Sequence, residues 1–155
     1  MRIELEKIKP TDYQISYLFK LLKRRTFSIS HSTMPTFEEH RRFVNNNPYR
    51  AWFIVKINGT NVGAAYVQYD NSVGLNGLDS LNEAVLKRII DLLAETVEPL
   101  EPIPSVRYGS FFFNVAASNS ILMNKLASIG YIQSQVIYVA VGNSSKGSSE
   151  GKESV

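Results

Sequence analysis

Residues 114–131 read NVAASNSILMNKLASIGY, and the fold of the chain turns on how that stretch is parsed. Its first residues close a predicted strand over 107–116 (RYGSFFFNVA). A small polar turn, Ala116-Ala117-Ser118, leads into a short amphipathic helix over 119–129. Gly130 then punctuates the chain, and Tyr131 opens a last predicted strand, 131–141 (YIQSQVIYVAV). Asn119 stands where an N-cap belongs, its side chain able to accept from an amide two or three residues on.

Upstream, residues 79–97 form the longest predicted helix, with Leu81, Val85, Ile89, Leu92, Leu93 and Thr96 as its apolar stripe. Ser80 and Glu83 have the spacing of a capping box, and the proline-broken linker at 98–104 (EPLEPIP) stops the helix. A short strand over 73–78 precedes it, entered through a tight turn at Asp70-Asn71. Before that, 50–57 and 61–69 alternate as strands around Asn58-Gly59, a strong hairpin signal. Thr36 and Glu39 make a second capping box. The helix they open places Phe37, His40, Phe43 and Val44 on one face, and Asn45-Asn46-Asn47-Pro48 ends it.

Residues 27–35 are a Ser/Thr-rich loop. Ile15, Leu18, Phe19 and Leu22 recur at helical spacing, with Thr11 or Asp12 as the cap and Lys23, Arg24 and Arg25 in the last turn, where cations suit the helix dipole. Residues 1–9 alternate as a strand. The tail 142–155 is Gly, Ser, Lys and Glu without an aromatic, and it is expected to be disordered. One domain over 1–141 follows.

Composition narrows the possibilities. A chain of 155 residues, 44% hydrophobic, can bury a core unaided. The net charge of +3 is spread out apart from 20–25 and Arg41-Arg42, clusters that suit a solvated helix end better than a nucleic-acid partner. No cysteine is present, which excludes disulfides, thiolate catalysis and thiol-ligated zinc. Two histidines give no metal-ligand spacing. The N-terminus is charged and lacks an apolar core, and no apolar run approaches the ~20 residues of a membrane span, so a cytoplasmic protein without membrane contact is expected.

The order β, α, α, β, β, β, α, β, α, β implies an α/β (α+β) fold, a mixed sheet of about six strands flanked by about four helices. Over residues 2–141 the chain resembles the GNAT N-acetyltransferase superfamily. The likeness rests on Asn119, the helix after it and the Gly130-Tyr131 pair. Residues 34–75 (MPTFEEHRRFVNNNPYRAWFIVKINGTNVGAAYVQYDNSVGL) look like members that modify amino sugars or similar amines.

That resemblance implies an acetyl-CoA donor, a small-molecule amine acceptor, and direct attack in a ternary complex, in a monomer or homodimer. It also implies a donor contact from Asn119, which matches the family's motif, whereas the backbone of Leu75, Asn76, Gly77 and Leu78 and the side chain of Asn114 are expected on the donor side by position. The acceptor side would hold Tyr49, Arg50 and Trp52, with His31 and His40 as candidate catalytic groups. A histidine in the place of His40 is more often a helix-face packing residue and an exposed loop histidine such as His31 usually has no role, and Asn119 could be a cap, a donor contact or both. Of the aromatics Tyr49, Trp52, Phe53, Tyr66 and Tyr69, alternation sends about half to the core and leaves the rest to wall a pocket.

Three departures from the family pattern stand out. Its glycine-rich pyrophosphate loop should fall within 76–87 (NGLDSLNEAVLK), where Gly77 is the one glycine and Asp79 and Glu83 bring negative charge to a helix N-terminus. Leu126 stands where many relatives carry a proton-donating tyrosine. Ser72, Gly74 and Asn76 stand where a basic glutamate is common. A GNAT-like module that binds a small molecule or protein without catalysis is the alternative.

Overall fold

Asn58 (φ 51°) and Gly59 (φ 82°) both adopt the left-handed conformation of a tight hairpin turn, and the centre of the sheet grows from them. In the computed structural model, which describes residues 1–25 and 33–141, that turn joins β2 (Ala51–Ile57) to β3 (Thr60–Val67). The other elements are β1 (Ile3–Lys7), α1 (Asp12–Lys23), α2 (Phe37–Asn45), β4 (Ser72–Asn76), α3 (Glu83–Thr96), β5 (Phe112–Phe113) and α4 (Ser120–Ser128). His31 and the tail 142–155 lie outside the described residues.

Among the described residues the sheet has five strands in the order β1-β2-β3-β4-β5. The first three junctions are antiparallel. The last is parallel, with Ser72 opposite Phe112 and Val73 opposite Phe113. α3 supplies the crossover that a parallel pair requires. The mixed α+β architecture and the β4–β5 adjacency thus match expectation.

Alternation along the strands splits the core in two. Phe53, Val55, Ala65, Val67 and Val73 face α3 and α4, meeting Leu86, Ile89, Leu93, Leu122 and Leu126. Trp52, Ile54 and Ala64 face α1 and α2, meeting Ile15, Leu18, Leu21 and Val44. The helices are capped much as read: Thr11 accepts from Gln14, Thr36 and Glu39 form the reciprocal box, and Asn119 accepts from Leu122.

Several expected details differ. α3 starts at Glu83 with Asn82 as its cap, because the chain from 78 to 82 is a turn closed by Leu81 N–H donating to Leu78 O. Its buried residues are Leu86, Ile89, Ile90 and Leu93, while Thr96 is exposed. The expected strand 107–116 contracts to Phe112–Phe113. In front, Tyr108 O is taken by the Asn71 side chain. Behind, Asn119 N–H turns back to Ala116 O. Phe111, Phe112 and Phe113 are half-buried at the sheet edge rather than central.

Residues 131–141 form no ladder with the described strands and are exposed throughout. No helix among the described residues is long and apolar enough to cross a membrane.

Candidate functional site

β4 and β5 pair over two residues and then part. Gly74, Leu75 and Asn76 continue without a β5 partner, and β5 gives way at Asn114 to an irregular segment. Two parallel strands that diverge leave backbone amides and carbonyls facing a gap, where an extended ligand can pair with them. Leu75, Asn76 and Gly77 line one side of that gap, and Asn114, Val115 and Ala116 the other. The gap opens into a cavity of about 900 Å³, toward the upper end of the range for small-molecule sites.

The far wall of the cavity is aromatic. Tyr49 and Tyr66 stack nearly parallel, 4.0 Å between ring centroids and 7° between planes. Trp52 meets Tyr49 edge-on at 4.9 Å. Alternation explains the cluster, since Trp52 and Tyr66 are opposite one another on β2 and β3, and both side chains face α1 and α2. Tyr66 lies across Gly74 of β4, where any Cβ would strike its ring. Burial raises the pKa of both tyrosine hydroxyls, so they stay protonated at neutral pH. The buried Trp52 Nε1 has no partner among the described residues, and neither has Asn61 Oδ1. Trp52 and Asn61 both line the cavity.

His40 reaches the same wall from α2. Its Nε2 is 3.0 Å from Ile15 O, which as a carbonyl accepts, so the ring proton sits on Nε2 and Nδ1 keeps its lone pair. Phe19 and Phe37 flank the ring. Burial lowers its pKa below the usual histidine value. The unfolded chain therefore binds a proton that the folded chain refuses. Stability should be level above about pH 7 and fall as the pH drops below ~6.5, by up to ~1.4 kcal/mol per unit. Chemical denaturation between about pH 7 and 5 checks this, and His40→Gln should lose that limb of the profile.

At the other end of the gap, the turn at 78–82 is strapped to α4. Lys125 Nζ donates to Asp79 O and, at 2.6 Å, to Leu81 O. Asn119 Nδ2 donates to Asp79 Oδ2 at 3.2 Å while its Oδ1 caps α4 through Leu122 N–H at 3.1 Å. Ser128 Oγ donates to Glu83 Oε2 at 3.3 Å. Both polar atoms of Asn119 are thus engaged within the protein, and cavity-lining Asp79 keeps a carboxylate beside the start of α3. Asn119→Ala should cost about 1–2 kcal/mol, the cap plus the tie to Asp79, in thermal or urea denaturation. A loss near zero would mean that Ser118 takes over the cap.

The structure brings together most of the residues expected from sequence. Leu75, Asn76, Gly77, Asn114 and Asn119 line the cavity at the gap, and His40, Tyr49 and Trp52 line it at the aromatic wall. Leu78 and Arg50 do not line the cavity. The Leu78 side chain is fully buried in the α3–α4 core, while Arg50 N–H donates to Val67 O and its Nη1 is buried without a partner among the described residues. Phe53 faces the opposite core, and Tyr69 is exposed. Leu126 is a core residue. Lys125 escaped sequence reasoning because a lysine in an amphipathic helix looks like any solvated one. Asn61 escaped it as a hairpin residue.

No family model matches the sequence, and no curated relative does. Solved structures do match. An acetyltransferase from Thermus thermophilus is 14% identical, with 84% of this chain and 86% of that one covered at a TM-score of 0.58. The aminoglycoside acetyltransferase AAC(6')-Ib, in complex with ribostamycin and coenzyme A, is 12% identical over 88% and 87% of the two chains, TM-score 0.62. AAC(6')-Iy, in complex with the bisubstrate analogue CoA-S-monomethyl-acetylneamine, is 12% identical over 90% and 98%, TM-score 0.53. Likeness at these identities is likeness of fold, and the chain has the fold of the GNAT acetyltransferases.

Proposed function

We propose that this chain is a divergent acyl-CoA-dependent N-acyltransferase that acetylates a small amine, an amino sugar or a molecule of similar size. The observation that carries the reading is the gap between β4 and β5, continuous with a cavity walled by Tyr49, Trp52 and Tyr66. The pantetheine arm of the donor would lie in the gap against the backbone of Leu75–Gly77 and beside Asn114, its thioester pointing into the cavity. A ring-shaped acceptor would rest on the aromatic wall, where stacking and apolar contact hold a sugar face.

The amine nitrogen attacks the thioester carbonyl carbon, the C–N bond forms, the C–S bond breaks, and the thiolate leaves. His40 is neutral near pH 7, and its Nδ1 is the acceptor for the proton the amine sheds. With leucine at position 126, the proton for the thiolate comes from water. Positioning alone can supply effective molarities on the order of 10⁵ M or more, so the absence of a dedicated acid slows the step without abolishing it.

The donor end is uneven in its fit. The gap suits the arm, but the turn at 78–82 does not suit a diphosphate. Asp79 in the turn and Glu83 at the first residue of α3 bring two carboxylates, Lys125 is spent on the carbonyls of Asp79 and Leu81, and the turn has no glycine. Acetyl-CoA should therefore bind little more tightly than acetyl-pantetheine, which lacks the diphosphate. Thermal shift and calorimetry with the two compounds test this. Acetyl-CoA at 100 times its Kd would stabilise the fold by about 2.7 kcal/mol. Absence of binding by both would remove the acyltransferase reading. A second reading, a GNAT-fold binding module without catalysis, is favoured by the same Asp79–Asn119–Lys125 network, and cavity ligands that bind without any donor would support it.

A further inference from the structure

We propose that the acceptor carries an oxyanion, a phosphate or a carboxylate, held by Arg24 and Arg25 at the tyrosine end of the cavity, so that the substrates are acidic amino sugars or acidic amines of similar size. This deepens the acyltransferase reading and rests on it, since an acceptor presupposes the transfer. Among the described residues, the charged side chains that line the cavity are Arg24, Arg25, Glu39 and Asp79. Both carboxylates are engaged at helix starts. Glu39 Oε1 accepts from Thr36 N–H at 2.8 Å in the capping box, and Asp79 Oδ2 accepts from Asn119 Nδ2 at 3.2 Å.

The end of α1 does not by itself require the two arginines. The helix stops at Lys23, and Lys20 and Lys23 already supply the positive charge that its last turn favours. Arg24 is the C-cap, Arg25 follows it, and both line the cavity. Burial raises the pKa of the Tyr17, Tyr49 and Tyr66 hydroxyls, outweighing the opposite pull of Arg24 on Tyr17 and of Arg25 on Tyr49 and Tyr66. All three therefore stay protonated, with a guanidinium group near each. Trp52, edge-on to Tyr49, adds a buried Nε1 without a partner among the described residues.

Guanidinium, hydroxyl and indole groups all donate hydrogen bonds, and the arginines add charge that does not titrate at neutral pH. A phosphate or an ionised carboxylate offers acceptors in return, and an arginine can meet either with two parallel bonds. An ammonium in the same place would face two cations and a wall of donors. A polycationic amino sugar is thus disfavoured at this end of the cavity. An acidic one can rest its ring on the aromatic wall and extend its oxyanion to the arginines, which fixes its orientation and leaves its amine for the thioester.

Isothermal titration calorimetry on the full chain, without donor and at one fixed ionic strength, tests this with ligands that share a ring and an amine. They are glucosamine, glucosamine 6-phosphate and glucosaminuronic acid. The acidic ligands should bind about ten-fold or more tightly than glucosamine, as charge-assisted bonds from arginine warrant. Arg24→Gln combined with Arg25→Gln should erase that gain and leave glucosamine binding unchanged, and Arg25→Gln alone should erase part of it. Both positions are exposed, so the fold should survive, as far-UV circular dichroism will report. Lys87→Gln removes a positive charge outside the cavity and should keep the gain. A gain for one acidic ligand alone supports the proposal and identifies the oxyanion. The proposal is overturned by no gain for either, by a gain that survives the double variant or is lost in Lys87→Gln, or by tighter binding of polycationic ribostamycin. Acetyl-CoA, titrated separately, judges the acyltransferase reading. Its failure to bind beside an arginine-dependent gain removes that reading and leaves the oxyanion site, and its binding without the gain does the reverse.

Discussion

Asn71→Ala is expected to lower stability by about 3–5 kcal/mol, because one fully buried amide satisfies three backbone groups at once. Asn71 Nδ2 donates to Leu100 O at 2.9 Å and to Tyr108 O at 2.7 Å, and Oδ1 accepts from Leu100 N–H at 2.8 Å. Alanine would leave all three without a partner, each at a cost of about 1–3 kcal/mol, partly recovered where water enters. The residue also sits at φ 73°, a conformation asparagine tolerates better than alanine. Asn71→Asp keeps the acceptor for Leu100 N–H but sets a carboxylate oxygen against the carbonyls of Leu100 and Tyr108 in a fully buried place, so it should cost at least as much as alanine.

The damage should reach the site. Phe112 N–H donates to Asn71 O, so the start of β5, and with it the place where β4 and β5 part, is hung on this residue. Urea denaturation measures the loss. A cost below about 1 kcal/mol would show that the 98–110 segment is held by other contacts.

Gly63→Val should cost about 2–4 kcal/mol and narrow the gap beside β4 together. A Cβ at position 63 would lie 2.5 Å from Asn76 O and 2.5 Å from Leu78 Cδ2. A side-chain methyl can rotate aside, but the Asn76 carbonyl belongs to the chain that lines the gap. Relief must come from moving residues 75–78, the segment against which the pantetheine arm would lie. Paired denaturation and acetyl-CoA calorimetry separate the two effects. Donor binding unchanged in a destabilised Gly63→Val protein would place the arm elsewhere.

How far the sequence reaches can be judged from single elements. The capping box at Thr36 and Glu39, the hairpin at Asn58-Gly59 and the cap at Asn119 were readable because donor and acceptor lie within three residues, a distance that the chain's own geometry sets. The parallel pairing of β4 with β5 was readable too, because a strand, a long helix and a strand leave one favoured crossover. At the site, Tyr49 and Trp52 were legible as possible wall residues, whereas the roles of Lys125 and Asn61 were not. The shift of the α3 stripe from Val85 and Leu92 to Leu86 and Ile90 shows where periodicity fails, since a helix with apolar residues on adjoining faces can be turned either way by its neighbours.

What the sequence determined by itself was the order of the elements from β1 to α4 and the class of fold, through hydrophobic period and short-range capping, while the last strand it led one to expect, 131–141, forms no ladder among the described residues. Tertiary structure alone decided the length of β5, the start of α3, the bonds of Asn71 to residues 29 and 37 positions away, and the strap from Lys125 to the turn at 78–82. The physical reason is common to all four. A hydrogen bond between distant residues leaves no period and no spacing in the chain, and it exists only once packing has brought its two ends together.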